Sequence, residues 1–140
     1  MKIGFTGTRF GMTELQLHNL ERILSERSSV ELHHGDCEGA DKEAHYLTIA
    51  VGGFVHIHPP VDDKHRAFCK GSVMMFPEKT HFARNRDIVH ASEVLIATPY
   101  NDFEESKGGT WYTVDYARKI DKPVIILWPT RGVTYEGLSL

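Results

Sequence analysis

The stretch Lys2-Ile3-Gly4-Phe5-Thr6-Gly7-Thr8-Arg9 decides the fold. A short apolar run starts at the second residue, ends in a polar glycine turn and gives way to a segment of different period. There Thr13, with Gln16 three positions on, makes a capping box, and Leu17, Leu20, Ile23 and Leu24 line one face of a helix over Thr13–Glu26. Strand, glycine turn and amphipathic helix form the unit that parallel sheets repeat, because a parallel return needs a long crossover, usually helical.

Working outward, Val30–His33, Phe54–Ile57, Val94–Ala97 and Val124–Trp128 join Lys2–Phe5 as short runs bounded by turn residues and rich in β-branched or aromatic side chains. Ala40, Ala44, Leu47 and Val51 recur at helical spacing before Gly52-Gly53, and the small alanines predict close packing on a sheet. Helices are also expected around Phe82–Ala91 and over Gly109–Ile120, the second halted ahead of Pro123. This order predicts the α/β class: a single Rossmann-like, doubly wound domain over residues 1–140, with a mainly parallel five-stranded sheet. The stretch Pro59–Lys79 carries neither period. Its apolar centre, Val73-Met74-Met75-Phe76-Pro77, reads as a lid, an oligomer contact or a satellite of the core.

Composition excludes several classes. A chain of 140 residues with 41% hydrophobic residues and a formal net charge of −3 lacks the basic excess that nucleic-acid binding calls for, so nucleic acid is not an expected partner. No apolar run approaches bilayer length and no signal-peptide pattern follows Met1, so a membrane is not expected and the cytoplasm is. Cys37 and Cys69 are too few for a disulfide framework.

In a doubly wound sheet, ligands sit beyond the C-terminal strand ends, near the point where strand order reverses. After the first strand, Gly7 lets backbone approach a ligand, Thr8 offers a hydroxyl and Arg9 a planar fork for phosphate or carboxylate. After the second, His34-Gly35-Asp36-Cys37-Glu38-Gly39-Ala40-Asp41 sets glycines and acids at a helix mouth, where the acids cap N–H groups or accept from ribose hydroxyls. Late in the chain, Gly108-Gly109-Thr110 opens a helix whose first turn has no acid, leaving N–H groups for a phosphate. Trp111 beside it either stacks on a base or packs in the core. His56-x-His58 with His65-x-x-x-Cys69 offers zinc-type ligands, but no Cys-x-x-Cys knuckle supports such a site, and no metal or cofactor is expected.

The succession Gly4-x-Thr6-Gly7-Thr8-Arg9, His34-Gly35-Asp36-x-x-Gly39-Ala40-Asp41-x-x-Ala44, Ala83-Arg84-Asn85-Arg86 and Gly108-Gly109-Thr110 resembles the SLOG superfamily, over nearly the whole chain. That group comprises Rossmann-like nucleotide-binding domains related to the DNA-processing protein DprA/Smf and to the LOG phosphoribohydrolases, and the match is to a small branch more than to LOG itself. The resemblance implies that Gly7, Thr8, Arg9, Gly35, Asp36, Arg84, Asn85, Gly109 and Thr110 surround a nucleotide or nucleotide-sugar phosphate. Arg9 and Arg84 would carry the charge, the Gly7 and Gly109 loops the N–H donors, and Asp36 would accept from ribose. LOG-type enzymes place a glutamate three residues after the threonine of their Gly-Thr motif, and Thr113 stands there in this chain. A hydroxyl cannot balance oxocarbenium-like charge or serve as a base near neutral pH. The expected function is therefore binding of an ADP-ribose-like, NAD-derived or cyclic nucleotide by a small homo-oligomer acting as sensor or sequestering protein. The enzyme alternative is an N-glycosidase on nucleoside 5′-monophosphates, with its catalytic residue unassigned.

Overall fold

The capping box forms as its residues dictate. Thr13 Oγ1 accepts from Gln16 N–H at 3.2 Å, and Gln16 Oε1 accepts from Thr13 N–H at 2.9 Å. The Gln16 amide then donates to the carbonyls of Pro99 and Leu127, both at 2.9 Å, so the helix start is tied to the ends of two distant strands. In the computed structural model, which describes residues 1–138, this helix is α1 (Glu14–Ser25) and follows β1 (Lys2–Gly7). Then come β2 (Glu31–His34), α2 (Ala40–Ala50), β3 (Phe54–Ile57), β4 (Met74–Met75), α3 (His81–Ala91), β5 (Val94–Thr98), α4 (Gly109–Lys119), β6 (Val124–Leu127) and β7 (Val133–Glu136).

The strands lie in one sheet of order β4-β3-β2-β1-β5-β6-β7, and all neighbours pair parallel except β6 with β7. The strand order reverses between β1 and β5. One face buries Ile3, Phe5, Leu32, Ile96 and Leu127 against Leu20, Ile23 and Leu24 of α1 and Ala40 and Ala44 of α2. The other buries Leu95, Ala97, Val124 and Ile126 against Ile88 and Val89 of α3 and Trp111, Val114 and Ala117 of α4. No helix among the described residues is long and apolar enough to cross a membrane.

Among the described residues the sheet has seven strands where the sequence predicts five. β7 is an antiparallel edge strand fastened by Arg118 of α4, whose Nε and an Nη lie 2.9 Å from the two carboxylate oxygens of Glu136. β4 comes from the segment expected to be loop. Met74 and Met75 pair with His56 and Ile57 of β3, flanked by Val73 N–H to Val55 O and Phe76 N–H to Ile57 O, each 2.9 Å. Two residues are too few to show a period, so pairing with β3 rather than local pattern makes the strand. Val73, Met74 and Met75 are all exposed, and none of Val73–Phe76 lines the cleft described below. The lid reading gives way to an exposed apolar edge at Val73–Met75, while Phe76 is half-buried against His58.

Candidate functional site

A cleft of about 410 Å³ opens beyond the C-terminal ends of β1 and β5, at the reversal of strand order. Its walls bring together Gly7, Thr8, Arg9, Gly35, Arg84, Asn85, Gly108, Gly109, Thr110 and Trp111. Asp36 is the one expected binding residue left outside.

The two glycine loops differ in what surrounds them. A Cβ on Gly7 would lie 2.1 Å from Thr98 Oγ1 and 2.6 Å from Ala40 Cβ, so this glycine serves the packing of β1 against β5 and α2. Three of the N–H groups that follow are occupied: Thr8 donates to Thr98 O at 3.1 Å, Phe10 to Thr8 Oγ1 at 3.2 Å and Gly11 to Thr8 O at 3.3 Å. The expected phosphate-cradling role of this loop is narrowed accordingly, because the parallel ladder and the turn consume these three N–H groups and leave that of Arg9 without a partner among the described residues. At α4 the opposite holds. Gly108 adopts φ +98, no side chain caps the helix, its first turn has no acid, and a Cβ on Gly109 would meet only Asn85 Nδ2 at 3.9 Å. Uncapped N–H groups at a helix start attract anions through their partial positive charge.

The arginines also divide. Arg9 is exposed at the rim, where an Nη lies 2.5 Å from His65 Nε2 and His65 Nδ1 lies 3.0 Å from Glu38 Oε1. Arg84 is buried, and its guanidinium donates to Gly35 O at 2.5 Å, His58 O at 3.2 Å and Asn85 Oδ1 at 2.7 Å. It also contacts His81 Nδ1 at 3.1 Å and Cys37 Sγ at 3.8 Å, which fills its fork. Among the described residues no carboxylate lies within 4.0 Å of it, so Arg84 contributes positive field to the cleft and few free donors. Gly35 is glycine because a Cβ there would fall 2.5 Å from that guanidinium. Asn85 Oδ1 takes the Arg84 bond, and its Nδ2 faces Gly109.

Asp36 is 0% exposed, with φ +57. Its two carboxylate oxygens accept from Arg66 Nε at 2.9 Å and Cys69 N–H at 3.0 Å, and its carbonyl accepts from Ala67 N–H at 2.7 Å. The expected ribose acceptor is instead the anchor of the long Pro59–Lys79 connection. Behind it a relay fixes histidine tautomers. Asp36 N–H donates to His34 Nδ1 at 2.9 Å, so His34 Nε2 holds the proton toward His45 Nδ1 at 2.9 Å, and His45 Nε2 donates to Lys70 O at 2.7 Å. Burial holds His34 well below its ordinary range, which keeps its ring neutral.

Trp111 is 2% exposed and packs against Trp128 with ring centroids 5.8 Å apart, so it forms the floor and offers no open face to a base. Phe10 and Tyr100, unremarked in the sequence, stand 70% and 61% exposed at the cleft mouth, edge to face at 5.4 Å. Their signal was positional: each follows a strand whose C-terminal end meets the cleft.

Thr113 is buried, and its hydroxyl donates to Gly109 O at 2.8 Å within α4. Asp41 and Glu105 are the carboxylates that line the cleft. Burial pushes the Asp41 carboxyl up to about 6, although Arg84 and the N–H groups of Cys37 and Gly35, each 3.2 Å from Oδ2, pull the other way. Burial, with help from Asp41, pushes the Cys37 thiol up to about 12, which removes it as a nucleophile. His56, His58, His65 and Cys69 do not converge. His65 belongs to the Arg9 rim, and Cys69 is buried with Val55 and Ile57, which alternate with His56 along β3.

Comparison with known proteins places this architecture. The chain superposes on the molybdenum cofactor binding protein from the phototrophic bacterium Rippkaea orientalis with TM-score 0.71 and 23% identity, over 91% of this chain and 76% of that one. TM1055, a structural genomics target, gives 0.65 and 15%, over 88% and 71%. DNA processing protein A (DprA) from Streptococcus pneumoniae gives 0.62 and 20%, over 89% of this chain and 49% of that protein. This chain shares the fold of these three proteins. No protein-family model and no curated protein matches the sequence. At these identities the likeness shows the fold alone, and the reading of the cleft rests on its own residues.

Proposed function

We propose that the cleft binds a nucleotide-derived small molecule, of ADP-ribose-like, NAD-derived or cyclic-nucleotide type, and that the protein works as a sensor or sequestering protein, as a small homo-oligomer. The observation that carries this reading is the uncapped, acid-free start of α4 opening on the same cleft as the exposed Arg9 fork. An anionic group at α4 would be held by backbone N–H groups, Asn85 Nδ2 and Arg9, within the field of Arg84. The exposed rings of Phe10 and Tyr100 give a flat base an apolar surface. The exposed Val73–Met75 edge supports self-association, since an unpaired edge strand with apolar side chains is a template for another strand.

Mass spectrometry of small molecules released by heating the purified protein tests the reading, followed by calorimetry with AMP, ADP-ribose, NAD and cyclic AMP. Recovery or micromolar binding of one of these is the expected result. Release of a molybdenum-containing cofactor, or no binding across the panel, overturns the nucleotide assignment.

The second reading, an N-glycosidase on nucleoside 5′-monophosphates, is favoured by the Asp41 carboxyl, whose raised protonation range near 6 suits an acid–base group. Thr113 cannot serve that role, because its hydroxyl is spent inside α4. Free base released from AMP by the wild-type protein and lost in Asp41→Asn would establish the enzyme. Intact nucleotide after prolonged incubation is the outcome expected here.

A further inference from the structure

A second polar cluster lies away from the cleft, on the open part of the sheet. A Cβ on Gly4 would touch Ser92 and Ile88, which puts Gly4 on the α3 face, and Gly4 pairs with His33, which pairs in turn with His56. The helix packed on β3 is α2, on the opposite face. At this end of the α3 face the strands present Glu31, His33, His56 and His58, with Phe76 stacked on His58 at 4.3 Å.

Glu31 Oε1 lies 2.6 Å from His56 Nε2 and 3.6 Å from His33 Nε2. One ligand atom from each of the three residues falls within 4.8 Å of the others. His33 is 3% exposed, and its Nε2 has no hydrogen-bond partner among the described residues. Neither tautomer of His33 resolves this. Its Nδ1 sits 2.8 Å from His58 Nε2. If Nδ1 carries the proton toward His58, a bare lone pair on Nε2 faces a carboxylate. If Nε2 carries it, the 3.6 Å to Glu31 is too long for a hydrogen bond. A buried nitrogen left in either state costs free energy, and a cation placed between the three side chains removes the cost.

We propose that Glu31, His33 and His56 bind a divalent ion of zinc type through one carboxylate oxygen and two imidazole nitrogens. Ligands at zinc distances in a tetrahedral site stand about 3.3 Å apart, and the two observed spacings bracket that value. His58 holds the His33 ring from behind through Nδ1, the arrangement that fixes tautomer and orientation in metal-bound histidines. Glu31 and His56 are partly exposed, so water reaches the fourth position. The ion would clamp β2 to β3. None of its ligands lines the cleft, so this site stands or falls independently of the nucleotide reading.

Titration of the 140-residue chain with Co²⁺, followed by visible absorption and displacement by Zn²⁺, tests the proposal. One equivalent should generate a ligand-field band that Zn²⁺ abolishes, and Zn²⁺ alone should raise the thermal midpoint. Glu31→Gln and His56→Asn, both at partly exposed positions, should each weaken binding about tenfold or more, while His65→Asn leaves it unchanged. If His56→Asn does not fold, Glu31→Gln decides. Absence of a stoichiometric band in the wild-type protein, or binding undiminished in a folded Glu31→Gln variant, overturns the site.

Discussion

The two sides of the cleft are both built on glycine, for opposite reasons. On the β1 side, Gly7 is filled in by Thr98 and Ala40, and the N–H groups of Thr8, Phe10 and Gly11 are consumed by the protein itself. On the α4 side, Gly108 and Gly109 border open space and the helix start has no cap. The first side is a rigid wall that presents one exposed arginine. The second is the receptive end, so a glycine loop identifies a binding site only when its N–H groups have nowhere else to go.

The largest effect expected from this contrast is acid sensitivity on the β1–β2–β3 side. In the metal-free protein, burial lowers His34 well below 6.5 and depresses His33 to about 4 and His58 to about 3, so the unfolded chain takes up protons that the folded one refuses. Stability is complete above about pH 6.5 and falls toward pH 4. Asp41, raised to about 6, works against this because the folded state protonates it first, but it is one group against three. Hydrogen exchange between pH 7 and 4.5 should show β2 and β3 losing protection before α4. Equal loss on both sides would remove the distinction.

Next comes Gly7→Ala, whose methyl group has no room and should destabilise the fold by about 3 kcal/mol in chemical denaturation. Arg9→Ala should leave the unfolding midpoint in place and weaken ligand binding by about 1.5–3 kcal/mol in calorimetry, because an exposed fork is lost and no packing is. Unchanged affinity would take Arg9 out of the site. Gly109→Ala should keep the fold and reduce affinity about tenfold, roughly 1.4 kcal/mol, by putting a methyl group where the anion approaches. The smallest effect falls to Tyr100→Ala, about 1 kcal/mol of affinity for ligands that carry a base and none for inorganic phosphate. Loss with both would show that Tyr100 shapes the phosphate end.

How much of this was legible in the chain is clearest residue by residue. The capping box of Thr13 and Gln16, the alanines of α2 and the acid-free Gly108-Gly109-Thr110 start are local features, and each formed as read. Asp36 looked like a ligand acceptor because its neighbours in sequence are glycines and acids, yet its true partners, Arg66 and Cys69, lie about thirty residues away. Trp111 looked free to stack because nothing nearby in sequence hides it, and Trp128, just past the end of β6, does so. Arg84 reads as a phosphate ligand until the carbonyls of Gly35 and His58 are brought to it.

By itself the sequence determined the α/β class, the order of the long elements and the three loops that meet at the cleft, because apolar period and helix capping act over a few residues and are written where they act. Only the tertiary structure decided which donors at those loops remain unspent, that Met74 and Met75 join the sheet, and that Glu31, His33 and His56 face one another across β2 and β3. The reason is physical. A backbone N–H, a carboxylate or an imidazole has a fixed chemistry in the chain, but whether it is available depends on partners that only long-range strand pairing brings within about 3 Å.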